Sequence, residues 1–234
     1  MHLKSLRKIS TALLVVLLLV SGCVFHSDGD YQDIHYEDVL KFWFGPLESP
    51  EDFPKERLSL WYFGGEDIDQ EMRERYSEWV EWAATGKLDH WNKTPRGRLA
   101  LIILLDQLPR HMYRDTPQAY QYDPTARKIL FEGLAKGDDK ALFPVEKMFF
   151  YVPLQHAENL DLQIFSVALY EQLKKNAPQA LEDEMETAYE KALQQKETIE
   201  KFGRFPHRNS TLNRESTVKE QQYFQKHQST LIQE

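Results

Sequence analysis

From residue 36 onward the apolar positions recur every three or four residues, the spacing that lines one face of an α-helix. The first such element runs from Glu37 to Phe44; it opens on two acids, as a helix N-terminus prefers, and Gly45-Pro46 stops it. Residues 47–57 hold Pro50 and Pro54 and read as a loop. Asp67, with Gln70 three residues on, has the form of a capping box. It predicts a helix whose apolar face is Ile68, Met72, Trp79, Val80 and Ala83, ended by Gly86. Thr94-Pro95 pairs a capping residue with proline at the first helical position. The run from Leu99 to Leu105 is apolar on every side and by itself fits a buried strand equally well. The cap before it and the span from Pro95 to Leu108 favour a central buried helix, ended by Pro109.

The second half repeats the theme. Thr116-Pro117 and Asp123-Pro124 are further cap-then-proline starts, the second opening a helix to Lys136 with Gly137 as its C-cap. Residues 144–151 predict a short apolar helix before Pro153. Leu162, Phe165, Leu169 and Leu173 mark one face of the next, which stops near Pro178. Leu181, Met185, Ala188, Ala192 and Ile199 stripe a long helix that ends at Phe202-Gly203, and Thr217 with Glu220 caps a last one. No strand alternation of useful length, no glycine-rich phosphate loop and no tandem repeat interrupts this pattern. The fold class is therefore all-α, a bundle of about eight to ten helices in a single domain over residues 36–234.

The first 22 residues break the pattern. Lys4, Arg7 and Lys8 precede an apolar run from Ala12 to Val20, and small residues follow, the build of a secretory signal. The apolar stretch is too short for a spanning helix, which needs roughly 20 residues. Leu19-Val20-Ser21-Gly22-Cys23 resembles the lipobox of bacterial lipoproteins, in which the cysteine is acylated and becomes the new N-terminus. That resemblance implies a signal peptide at 1–22, a lipidated Cys23 with a polar tether over 23–35, and a domain held on a membrane in the cell envelope. Val24 after the cysteine, rather than Asp, points by resemblance to Gram-negative sorting to the periplasmic face of the outer membrane, if the source has one. Cys23 is the only cysteine, so no thiol is left for a disulfide.

Charge narrows the partners. The net charge of −8 becomes −11 once the three basic residues of positions 1–22 are removed. A domain that acidic is poorly suited to nucleic acid and to lying flat on anionic lipid. Its aromatic share of 12%, with five tryptophans, calls for a large packed core.

Three polar-rich stretches carry the candidate chemistry: Leu104-Leu105-Asp106-Gln107-Leu108-Pro109-Arg110-His111; Pro153 to Glu158, shortly after Glu146; and Phe202 to Asn209, followed by Leu212 to Thr217. Arg204, Arg208 and Arg214 offer planar forks for carboxylate or phosphate. His156 and His207 can exchange protons near neutral pH, and Asp106, Glu146 and Glu158 can orient them or act as bases. Converging, Asp106, Arg110, Glu146, His156, Glu158, Arg204, His207 and Arg208 would line a pocket for a small anionic ligand. The same residues support hydrolysis with His156 or His207 as general base and Glu158 as a further candidate. They equally suit helix-capping salt bridges, above all Arg98, Arg110 and Arg214, in a scaffold that binds a partner protein. Phe202 and Phe205 read as core. His156 and Glu158 are two apart, a poor spacing for a shared metal, and no cysteine pair or HExxH is present; no metal or cofactor is expected.

These three stretches, with Val39 to Gly45 and Gly97 to Ile102, resemble the signature segments of an uncharacterised bacterial family, domain of unknown function 924, over roughly residues 36–224. The resemblance implies a tetratricopeptide-like helical fold and no established activity. His111, Ala157 and Asn213 depart from that family's usual Asn, Ser and Gly. Asn is the residue next best to Gly in a left-handed turn, whereas Ala157 removes a hydroxyl.

Overall fold

Thr94 does what its sequence position predicts: its hydroxyl accepts the Gly97 N–H at 3.1 Å and starts the helix on which the rest is assembled. The computed structural model describes residues 31–227; the signal segment and Cys23 lie outside the described residues. Among the described residues there are nine α-helices and no strand. They are α1 (Tyr36–Phe44), α2 (Glu66–Ala84), α3 (Pro95–Ile102), α4 (Leu108–Met112), α5 (Asp123–Lys136), α6 (Pro144–Gln155), α7 (Leu160–Lys175), α8 (Glu182–Phe202) and α9 (Val218–His227). None of them is long and apolar enough to cross a membrane.

Helix α3 is the axis. Leu99 to Leu105 are at most 1% exposed, which is why that run is apolar on every side. It packs against α1, α5 and α6, while α2 lies on α4, and α6, α7 and α8 follow one another as neighbours. Trp43, Phe44, Trp61 and Phe149 fill the space between, with Trp61 and Phe149 ring centres 4.7 Å apart. Gly97 admits the preceding turn: a Cβ there would sit 2.3 Å from the Trp91 carbonyl oxygen. Asn213 has φ +53°, the left-handed conformation expected of it.

Several boundaries differ from expectation. Pro109 does not end the central helix. A π turn over Ile103–Gln107, closed by the Leu108 N–H donating to the Ile103 carbonyl, restarts the helix as α4. Pro109 then falls in the first turn, where no N–H is needed. Pro153 likewise lies inside α6. Side chains from α7 serve the carbonyls at that end: Gln163 Nε2 donates to Leu154, Gln155 and Ala157, and Tyr170 Oη donates to Met148. For the same reason the buried face of α7 is Gln163, Ser166, Tyr170 and Leu173, and Phe165 is turned outward against Phe131. Helix α2 starts at Glu66 with Gly65 before it, so Asp67 is no cap; Gln70 instead bonds Arg73 and Glu74. Asp123 is the first residue of α5, and its carboxylate is used elsewhere. The loop 47–57 ends in a 3-10 turn, followed by a π turn at Ser59–Phe63. Of the two phenylalanines, Phe205 is buried and Phe202 only half-buried.

Candidate functional site

The π turn between α3 and α4 puts Asp106 inside the molecule, fully buried. A buried carboxylate needs partners. His156, at the end of α6, gives one: its Nδ1 lies 2.9 Å from both carboxylate oxygens. Gln107 Nε2 donates to Asp106 Oδ2. Arg110, one turn on, donates to the Asp106 carbonyl at 2.6 Å and grips Asp123 with two bonds of 3.0 Å. Arg208 donates to the His156 carbonyl at 3.0 Å, fixing the end of α6 from the C-terminal segment. Tyr120 lies between the two arginines, with the Arg110 and Arg208 guanidinium carbons 5.4 and 4.7 Å from its ring centre.

The electrostatics set one protonation state. Burial pushes the Asp106 carboxyl up, but Arg110 and His156 outweigh it and hold it below the usual carboxylate range. Burial lowers His156, Arg110 adds to that, and Asp106 opposes it without prevailing. Burial works against the Arg110 charge, but Asp106 and Asp123 raise its pKa. The pair is therefore a carboxylate accepting from the Nδ1–H of a neutral imidazole. His156 Nε2 makes no hydrogen bond to the described residues and reaches the surface, the side chain being 19% exposed. A neutral imidazole oriented by a carboxylate, with its other nitrogen open, can accept a proton.

The remaining candidates are placed differently. Glu146 stands at the opposite end of α6 from His156, ten residues or roughly 15 Å away; it accepts the Phe143 N–H at 2.9 Å and pairs with Arg96, which also holds Glu37. It is a cap, outside the His156 cluster, and burial raises its pKa. Glu158 turns from His156 to Arg214, with bonds of 2.6 and 2.9 Å, and accepts the Phe205 N–H. Burial works against its charge, but Arg214 and that N–H hold its pKa down. Arg204 closes on Glu220 at 2.7 and 2.9 Å. Glu220 also accepts the Thr217 N–H, the capping box expected at α9, and its pKa falls to about 2, chiefly through Arg204. His207 stacks obliquely near Phe205, ring centres 5.5 Å apart. So Asp106, Arg110, His156 and Arg208 come together, and Glu146, Glu158 and Arg204 serve other contacts.

Sequence reading missed Tyr120, Asp123 as a carboxylate partner, and Gln163. Only Gln163 left a signal, a polar residue in helical register with buried Ser166, Tyr170 and Leu173. A second buried group also went unread: Asp69, gripped by Arg114 at 3.0 and 3.1 Å, with His111 Nδ1 at 3.3 Å. Among the described residues no three His, Cys, Asp or Glu side chains are grouped to hold a metal ion.

The profile of a family described as bacterial proteins of unknown function matches residues 39–228. A solved structure of a protein of unknown function from Agrobacterium tumefaciens is similar, with a TM-score of 0.69 and 31% identity, over 82% of this chain and 97% of that one. No curated protein sequence matches. The match spans α1 to α9 and includes the Asp106, His156 and Arg208 segments, and the chain belongs to the bacterial DUF924 family.

Proposed function

We propose that the chain binds a small anionic molecule at the open edge of the Asp106–His156 pair and that His156 Nε2 accepts a proton there. One observation carries this reading: Nδ1 is locked on a buried carboxylate while Nε2 is left outward. Water meets an outward Nε2 when nothing else does, and a ligand can take that water's place. Arg110 and Arg208 supply positive charge beside the ring, offset in part by Asp106 and Asp123. The reaction class that suits the group is hydrolysis of a small anionic ester. A water gives its proton to Nε2 as its oxygen bonds the carbonyl carbon or phosphorus, and the leaving oxygen departs with the bonding pair.

The test is a titration of the purified full-length protein with acetate, inorganic phosphate and phenyl phosphate, followed through the His156 ring nitrogens by NMR. Saturable shifts at Nε2, lost in Asp106→Asn, support the site; shifts absent for every anion, or unchanged in Asp106→Asn, remove it. The bidentate Arg110–Asp123 pair favours a second reading, a scaffold whose charges are structural. In that case partner capture survives His156→Asn.

The anchor is a separate proposal from sequence. Acylation of Cys23 after removal of residues 1–22 would hold the domain in the cell envelope. Cys23→Ser then moves the protein from the membrane to the soluble fraction; an uncut, membrane-bound product speaks against it.

A further inference from the structure

An open depression of about 800 Å³ lies between α1, the π turn at Ser59–Phe63 and α2, and contains none of the His156 cluster. Its apolar lining comes from Phe42, Leu60, Ile68 and Trp79. Two polar atoms of its lining residues are buried and lack any hydrogen-bond partner: Arg57 Nε and the Tyr76 hydroxyl. Buried polar groups are nearly always paired, because each unmet one is costly. Tyr76 is 1% exposed, and burial pushes its pKa up to about 12, so at neutral pH it is a hydrogen-bond donor. Both unmet groups are donors closed to solvent, so an acceptor in the depression reaches them only as the Arg57 side chain shifts.

The charges agree. Arg57 and Lys41 make no ion pair with any described residue. Arg75 is taken: it holds Glu71 at 2.6 Å and lies over the Phe42 and Tyr76 rings. Asp38 and Glu56 are exposed, where water satisfies them. Arg57 runs across the end of α1 against Gly45, where a Cβ would be 3.5 Å from its Nε and Nη2. The absent side chain at Gly45 leaves the guanidinium room beside the depression.

We propose that this depression binds a small carboxylate with an aromatic or branched apolar body, its carboxylate at Arg57 and its body against Phe42, Leu60 and Trp79. Arg57 is the preferred anchor because a guanidinium matches a carboxylate with two parallel bonds. Lys41 adds a second, solvated charge.

Titration calorimetry of the full-length protein tests it with three probes. 3-Phenylpropionate should saturate the site; 3-phenylpropanol, without the charge, and inorganic phosphate, without the apolar body, should each bind about tenfold weaker or not at all, given that charged bonds are roughly twice as strong as neutral ones. Arg57→Gln should weaken 3-phenylpropionate about tenfold and Tyr76→Phe about threefold, while His156→Asn leaves it unchanged. Arg57 makes no side-chain hydrogen bond or ion pair to the described residues, so Arg57→Gln removes no such contact from the fold. Absence of saturation up to about 10 mM, equal affinity for the alcohol, or indifference to Arg57→Gln would each overturn the proposal. A loss in His156→Asn would assign the binding to the other site.

Discussion

Arg98 and His156 both sit against the central helical rod, yet their hydrogen bonding ends differently. Arg98 is wholly buried, and every one of its nitrogens meets an acceptor: Nε on Asp138 at 2.8 Å, Nη2 on the Asn92 carbonyl at 2.7 Å, Nη1 on the Asn92 side chain at 3.0 Å. It ties α3 to the turn before it and to the turn after α5. His156 has one nitrogen fixed with equal care and the other left outward. A polar group satisfied completely by protein is a strut. One satisfied on a single side keeps a valence for something that is not protein.

The sharpest way to break that contrast is to remove the strut. Arg98→Ala leaves the half-buried Asp138 carboxylate and the Asn92 and Ile129 carbonyls without their donor and should cost about 3–5 kcal/mol, read from the urea midpoint. The His156 titration should not move. A coupled change at His156 would mean that the two networks are one.

Gly133→Ala strikes the same strut from outside. A Cβ at that position would lie 2.4 Å from Arg98 Cδ and 2.7 Å from Phe150 Cζ, and both are packed tightly. Overpacking should cost about 1–3 kcal/mol, less than losing Arg98, because the side chain shifts rather than disappears. An unchanged urea midpoint would show that Arg98 has slack, against its role as a strut.

These two residues also show what the sequence could and could not convey. Arg98 stands one residue before an apolar run, so a buried and therefore paired arginine was legible there, and so was the helix itself from Thr94-Pro95. Its partner Asp138 was not, since nothing local ties a turn forty residues on to α3. The same holds at His156. The histidine and Asp106 were both legible as chemistry, but Glu158, two residues away, was equally plausible. The end of α6, set by Gln163 and Arg208, turns Glu158 toward Arg214 and leaves His156 on Asp106. Pro109 and Pro153 misled for a related reason: a π turn brings Pro109 into a new first turn, and Gln163 of α7 meets the carbonyls where α6 ends beyond Pro153, and both are tertiary facts.

The smallest expected effect is the most discriminating. His156→Asn keeps a donor for Asp106 and removes only the partly exposed ring, so its stability at pH 8 should fall by less than about 1 kcal/mol. The pH dependence should change more than the level. Burial lowers the folded-state pKa of His156 below its ordinary 6.5, so the unfolded chain binds the proton more readily. Stability is then fully present above that ordinary value and is lost as pH falls from 6.5 through the lower folded value. Burial lowers His111 as well, and it contributes to the same window. Asp106 and Glu220, whose pKa values are depressed, lose their contributions only further down, below the ordinary carboxylate range near 4. Urea midpoints of wild type and His156→Asn between pH 8 and 4.5 should therefore converge toward acid, the variant showing the flatter curve. Parallel curves would place the His156 proton equally in folded and unfolded chains, and a loss at pH 8 as large as that of Arg98→Ala would make His156 a strut after all.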